Sequence, residues 1–255
     1  MNFVKMFQME KPEKGWVSIA WTGQAGFLIK NSQGKILAID IYLSDLSEKQ
    51  DGNKRLTPAL FEADELKLDV LLATHHHSDH LDLESIPTLL NNQTRLYCCK
   101  ESYRLCQKLE VPMECVTAMG VGDWIEDSGF RVEAVFADHG DAAPEAVGFL
   151  IEAEGIRVYF TGDTSYQNVR MGYAARHKID VLILPINGEY GNLNERDAAM
   201  LAKQMGAGLT IPCHFWTFAR HQGSPYQFQQ EMRAAAPECN VCLMAQGEII
   251  RVQPS

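Results

Sequence analysis

No stretch of this 255-residue chain approaches the run of ~20 apolar residues that a membrane span requires. The first fourteen residues hold no apolar run of signal-peptide length either, and they carry Lys5, Glu10, Lys11, Glu13 and Lys14. The chain therefore reads as soluble and cytoplasmic. Positive charge is scarce: 23 basic residues stand against 33 acidic ones, a net charge of −10. So acidic a chain lacks the broad basic surface that nucleic-acid backbones need. It still admits a small anionic molecule, because a bound metal pair adds local positive charge that the formal count leaves out. Cysteine is present but unpaired in pattern. Seven residues are an odd number, Cys98 and Cys99 are adjacent, and Cys239–Cys242 is a lone CxxC without the second pair of a zinc ribbon. All seven are expected to be reduced thiols with no role in chemistry. No Gly/Pro/Ser-rich linker divides the chain, so residues 1–255 read as a single domain. A GxSxG elbow is absent, and no Cys–His arrangement competes as a covalent nucleophile.

What is present is strand after strand. Val17–Trp21, Gly26–Lys30 and Lys35–Asp40 are short apolar runs separated by turn residues. A polar stretch over Ser44–Arg55 precedes a predicted helix at Pro58–Leu66. Asp69–Thr74 is a buried-strand pattern, and a helix is predicted from the Asp82 and Glu84 start signal to Leu90. The spacing then predicts strand Arg95–Cys98, helix Glu101–Leu109, and strands Glu114–Thr117, Phe130–Ala137, Ala146–Glu152 and Arg157–Thr161. Helix Tyr166–Arg176, strand Val181–Pro185, helix Asn194–Met205 capped by Asn194, strand Leu209–Cys213, helix Pro225–Ala236 and strand Glu248–Val252 complete the chain. Each half begins as a meander and continues as strand–helix alternation. Two such halves suggest an α/β architecture of two sheets packed face to face with helices outside, an αββα sandwich.

The chemistry concentrates in Thr74-His-His-His-Ser-Asp-His80, which follows an apolar strand and so lies where a sheet gives way to a loop. Imidazole and carboxylate are ligands for divalent first-row metals. In an extended loop His75 and His77 point the same way, and His76 points away and serves as spacing. Asp79 and His80 come after the turn and can face a second metal. Four ligands do not complete two metal sites, and three further candidates each follow a predicted strand: His139, Asp163 and His214. A bridging carboxylate suits Asp163.

In this order His75, His77, Asp79, His80, His139, Asp163 and His214 resemble the ligand set of the metallo-β-lactamase superfamily over nearly the whole chain. The resemblance implies the four-layer αββα fold of that superfamily and metal-dependent hydrolysis. It assigns His75, His77 and His139 to one metal and Asp79, His80 and His214 to the other, with Asp163 bridging. Asp40 resembles the early aspartate that braces the metal loop from behind, although Ile41 stands where the family often has proline. Trp21–Phe27, Asp138–Asp141 with Pro144 and Gly148, Pro185–Gly191 and Ile211–Trp216 resemble the L-ascorbate-6-phosphate lactonase branch.

One or two divalent ions, zinc or manganese first, are then expected to activate a hydroxide for attack on an ester or lactone. Asp79 is the candidate for orienting that hydroxide and carrying its proton. Substrate contacts are expected from Asn187, Glu189 and Tyr190, and from Trp216, Thr217, Arg220 and His221, with Arg220 suited to a phosphate or carboxylate. The expected partner is a small anionic substrate, with no nucleic acid and no membrane, and a homo-oligomer stays open. The main alternative is a phosphodiesterase or nuclease of the same fold, which the acidic balance disfavours. An oxygen-reducing di-iron protein would replace a loop histidine by glutamate, and here His77 stands. A non-catalytic metal-binding module would be expected to have lost ligands.

Overall fold

The computed structural model describes residues 2–91 and 93–254. The first half forms β1 (Val17–Gly23), β2 (Gly26–Lys30), β3 (Ile36–Ile39), β4 (Val70–Ala73), β5 (Arg95–Cys99) and β6 (Val116–Met119). The rest supplies β7 (Trp124–Asp127), β8 (Phe130–Phe136), β9 (Val147–Ala153), β10 (Ile156–Phe160), β11 (Val181–Pro185), β12 (Leu209–Cys213), β13 (Asn240–Val241) and β14 (Ile249–Val252). The helices are α1 (Phe3–Met9), α2 (Leu46–Asp51), α3 (Ile86–Asn91), α4 (Lys100–Cys106), α5 (Asn168–Met171), α6 (Glu195–Met205) and α7 (Pro225–Ala235). Among the described residues no helix is long and apolar enough to cross a membrane.

Two seven-stranded sheets result, ordered β14-β1-β2-β3-β4-β5-β6 and β13-β12-β11-β10-β9-β8-β7. Their construction is parallel in logic. β1–β3 pair antiparallel and β3–β6 parallel; β7–β10 pair antiparallel and β10–β13 parallel. Each parallel step needs a crossover, which is why the helices other than α1 follow the meander of each half. The exception is β14, which crosses back to pair antiparallel with β1.

Alternation along the strands sorts side chains between layers. In the first sheet Ile19, Phe27, Ile29, Leu37, Ile39, Val70 and Leu72 enter the core shared with the second sheet. Their neighbours Ala20, Leu28, Ala38 and Leu71 face a separate outer cluster with α1 and α3 residues. Phe27 of β2 meets Phe160 of β10 edge-to-face at 6.1 Å between centroids, which places the two sheets in direct contact. These layers form the metallo-β-lactamase sandwich expected from the sequence.

The departures from the predicted elements are local. Pro58–Leu66 is irregular rather than helical, with Phe61 stacked on Phe3 at 5.9 Å and Leu66 buried. Tertiary packing of single residues overrides helix propensity there. The helix predicted over 166–176 breaks at Gly172 into α5 and a single 3-10 turn at Ala174–Arg176. The polar stretch 44–55 contains α2, closed by Gly52 at φ +69, a conformation glycine adopts without strain. The charged N-terminus contains α1, whose Phe3, Val4 and Phe7 form a stripe too short to read without its partner. β7 and the two-residue β13 are likewise not predicted from the sequence. Asn194 caps α6 as expected, its side chain accepting from the Asp197 N–H.

Candidate metal centre

Seven segments end at one rim of the sandwich. The 74–80 loop leaves β4, Asp40 follows β3, and His139, Asp163 and His214 follow β8, β10 and β12. Gln24 lies in the β1–β2 turn, and Asn187 follows β11. The strands fix the origin of each loop to within the sheet spacing, so these side chains converge without any long loop having to be ordered.

Two overlapping clusters form. His75, His77 and His139 bring ring nitrogens together, with His75 Nε2 2.9 Å and His139 Nε2 3.3 Å from His77 Nδ1. Beside them, His80 Nε2 lies 3.1 Å from His214 Nε2, and Asp79 Oδ2 lies 3.6 and 3.4 Å from those two atoms. Asp163 stands between the clusters. Its Oδ1 is 3.5 and 3.3 Å from His80 and His214, and its Oδ2 is 3.8 Å from His139. Gly162 makes that approach feasible: a Cβ there would come within 2.9 Å of the Thr74 side chain, and its φ is +63. His76 turns away and lies 3.3 Å from Glu101.

Behind the ligands, Asp40 holds the loop. One of its oxygens accepts from the Thr74 N–H at 2.8 Å, and the other accepts the Thr74 hydroxyl at 2.6 Å and lies 2.7 Å from His80 Nδ1. That contact orients the His80 ring so that Nε2 faces the cluster.

The electrostatics ask for a cation. Three buried carboxylates, Asp40, Asp79 and Asp163, meet here, and among the described residues their ion-pair partners are all histidines. Burial acts to raise Asp79 and Asp163, yet the neighbouring histidine charges outweigh it and hold both well below the usual carboxylate range. Burial pushes His75 well below the ordinary imidazole value and His77 down to about 4, with His80 adding to both shifts. Those rings are neutral near pH 7 and offer lone pairs. For His80 burial pulls down, but Asp163, Asp79 and Asp40 outweigh it and favour positive charge at that point. One shared proton can pair two facing ring nitrogens, but His77 Nδ1 faces both His75 Nε2 and His139 Nε2, and His214 Nε2 faces His80 and two carboxylates, convergences that a cation serves better than single protons. Asp163 Oδ1 is buried with no hydrogen-bond donor. Imidazole nitrogens and carboxylate oxygens of this kind fit one or two divalent first-row ions.

A cavity of about 420 Å³ opens over the cluster, walled by His77, Asp79, His139, Asp163 and His214 and by Asp51, Asn53, Ala142, Tyr190, Arg220 and His221. Of the rim residues expected to touch substrate, Tyr190, Arg220 and His221 line this space. Thr217 is buried, its hydroxyl accepting from the Gln24 N–H. Trp216 is exposed on the far side, its indole N–H donating to the Gly223 carbonyl. Glu189 is exposed outside the cavity wall and Asn187 is buried behind it, with neither amide atom hydrogen-bonded. Sequence reasoning missed four contributors. Asn192 donates to Asp163 Oδ2 at 2.7 Å, Gln24 donates to Asp79 Oδ2 at 2.7 Å, and Asp51 and Asn53 enter the wall from α2 and the turn after it. The available signal for Gln24 was a polar residue between glycines, in the turn of an otherwise apolar hairpin. All seven cysteines are free.

Fold and ligand geometry define a protein of the metallo-β-lactamase type. The comparisons with known proteins agree: residues 18–214 match the beta-lactamase superfamily domain, and the chain belongs to that family. It is 28% identical over 242 residues to a UPF0173 metal-dependent hydrolase of Archaeoglobus fulgidus, covering 91% of this chain and 97% of that one. It is 28% identical over 260 residues to a UPF0173 metal-dependent hydrolase of Polynucleobacter asymbioticus, covering 93% and 87%. Among solved structures it is similar to Igni18, a metallo hydrolase from Ignicoccus hospitalis, with a TM-score of 0.74 at 20% identity over 94% of this chain and all of that one.

Proposed function

We propose that the chain is a metal-dependent hydrolase acting on the ester bond of a small anionic lactone, a sugar-acid phosphate lactone being the first candidate. The observation that carries the reading is the buried His/Asp cluster opening onto a cavity in which Arg220 is, among the described residues, the only lysine or arginine of the wall. His75, His77 and His139 would hold one divalent ion, and Asp79, His80 and His214 the other, with Asp163 between them. Such a pair supplies a water of near-neutral pKa and polarises the bond to be cleaved. The chain's own residues do the rest. Asp79, kept ionised, accepts a hydrogen bond from the attacking water and so orients it. Arg220 holds the substrate's phosphate or carboxylate by a charge-assisted contact. Tyr190 and Ala142 wall the space around the reacting carbonyl. The similarity to metal-dependent hydrolases and the stretches resembling the lactonase branch support this chemistry.

The test is turnover of a panel of lactones, phosphorylated lactones and bis-p-nitrophenyl phosphate by protein loaded with zinc or manganese. Hydrolysis of a phosphorylated lactone above its parent is expected. Cleavage of the phosphodiester alone would assign the chain to the phosphodiesterase chemistry of the same fold. Metal binding with no turnover of either would leave a binding module.

A further inference from the structure

Gln24 occupies a position that ordinary turn chemistry does not account for. It is buried, non-glycine, and held in the left-handed region at φ +52. Its backbone is fixed on three sides. Its carbonyl accepts from the His214 N–H at 2.9 Å and from the Trp21 indole at 3.0 Å, and its own N–H donates to Thr217 at 2.9 Å. Everything about this turn aims the side chain at the centre. Nε2 lies 2.7 Å from Asp79 Oδ2, 2.8 Å from His221 Nδ1 and 3.1 Å from His214 Nε2. A carboxylate only accepts, so the atom facing Asp79 is the amide NH₂ and not its oxygen. The amide keeps this orientation although Oε1, also buried, has no hydrogen-bond partner.

An NH₂ group has two protons. With one given to Asp79, the other is directed between His221 and His214. His214 Nε2 also faces His80 Nε2 and both carboxylates of the centre, where a cation would sit. The shorter contact is to His221 Nδ1, which must then be the acceptor. The proton of a neutral His221 is thereby forced onto Nε2, a nitrogen with no hydrogen-bond partner among the described residues. His221 is packed between the His214 ring at 4.7 Å and the Tyr190 ring at 5.6 Å and forms part of the cavity wall. The ring is therefore held in place while one N–H remains to be used.

We propose that Gln24 is a positioning residue: one carboxamide fixes the carboxylate of Asp79 and the tautomer of His221, so that His221 gives the substrate an N–H donor rather than a lone pair. The donor would serve an oxygen on which negative charge grows as the ester bond breaks. This rests on the hydrolase reading for its consequence, but not for its geometry.

The experiment replaces Gln24 by leucine, and separately by asparagine, which tolerates the left-handed backbone and withdraws the NH₂ by one methylene. Zinc-loaded protein labelled with ¹⁵N-histidine is compared with the parent. In the parent, His221 is expected to show an unprotonated Nδ1 and a protonated Nε2. In Q24L and Q24N the two tautomers should mix, the zinc content should be unchanged, and kcat on the preferred ester should fall by about 10- to 100-fold, the range for removing a group that orients a metal-site residue. KM should stay within about threefold, as for an interaction made only in the transition state. An unchanged tautomer, or zinc lost in parallel with activity, overturns the proposal, the latter because Gln24 would then support metal binding through Asp79 rather than set His221. If the parent hydrolyses nothing, the hydrolase reading fails, and the nitrogen spectra still decide whether Gln24 sets His221.

Discussion

The loop from Thr74 to His80 and the loop from His214 to His221 contribute to one rim but are built differently. The first is anchored from three directions. Asp40 takes the Thr74 amide and hydroxyl, the Thr74 carbonyl accepts from Val147 of the opposite sheet, and Ser78 bonds both Ser47 and Asp51 of α2. The second turns through left-handed His214 and Trp216, closes on itself through Trp216–His221 and His221–Phe218 backbone bonds, and leaves Trp216 and Arg220 exposed. The family match stops at residue 214, where the second loop begins. Ligands thus lie on a scaffold fixed at many points. The residues that would meet a substrate lie on a loop held by its own turn, by Gln24 and by the neighbouring 55–56 segment, with the Leu56 N–H donating to the Thr217 carbonyl and Phe218 packed on Tyr42.

Variants that strike the first loop and its partners should show the largest effects. His77→Ala and Asp163→Ala should each lower the metal content seen by elemental analysis and reduce hydrolysis to background, with the circular dichroism spectrum retained; full occupancy in both would break the assignment. Asp40→Asn replaces no metal ligand, yet it takes an acceptor from Thr74 or His80. Metal affinity measured by competition with a chelator should weaken by about 10- to 100-fold. An unaltered affinity would mean that the loop is rigid without Asp40. On the second loop, Arg220→Ala should raise KM for a phosphorylated lactone by about tenfold to a hundredfold, the cost of a charge-assisted hydrogen bond. KM for the unphosphorylated parent should barely move, and an equal response of both substrates removes the phosphate-reading role. Least of all should happen on replacing His76, Cys239 or Cys242 one at a time: kcat/KM within about threefold, less than about 1 kcal/mol of barrier. A hundredfold loss at His76 would mean that the first loop works with a different face from the one described.

The same contrast explains what could be read in advance. The metal loop is contiguous, its ligand types are rare, and alternation alone separates His76 from its neighbours. Strands such as β2, β3, β4 and β11 were legible because they bury apolar residues on both faces and are bounded by turn residues. α6 carried its own cap in Asn194. α1 and the 58–66 segment did not, since the packing of Phe3, Phe7 and Phe61 on one another follows from tertiary placement and leaves no period in the sequence. Gln24 lies 55 residues from Asp79 and 197 from His221 along the chain. Nothing local in the sequence links such partners, and only the two strands that deliver them do so. For the same reason Thr217 and Trp216 look alike as residues after a ligand, and only the turn decides that one supports Gln24 and the other faces solvent.

The return of β14 to the first sheet has a consequence for how the molecule is made. β1 emerges from the ribosome early, with Val17–Ala20 exposing an unpaired edge, and its register partners Ile249–Val252 come some 230 residues later. At elongation of about 5–20 residues per second, that edge waits roughly twelve to forty-six seconds. During this interval the growing chain presents an apolar strand of the kind that recruits other strands. Loss of the last strand would leave the β1 edge of the metal loop's own sheet uncovered.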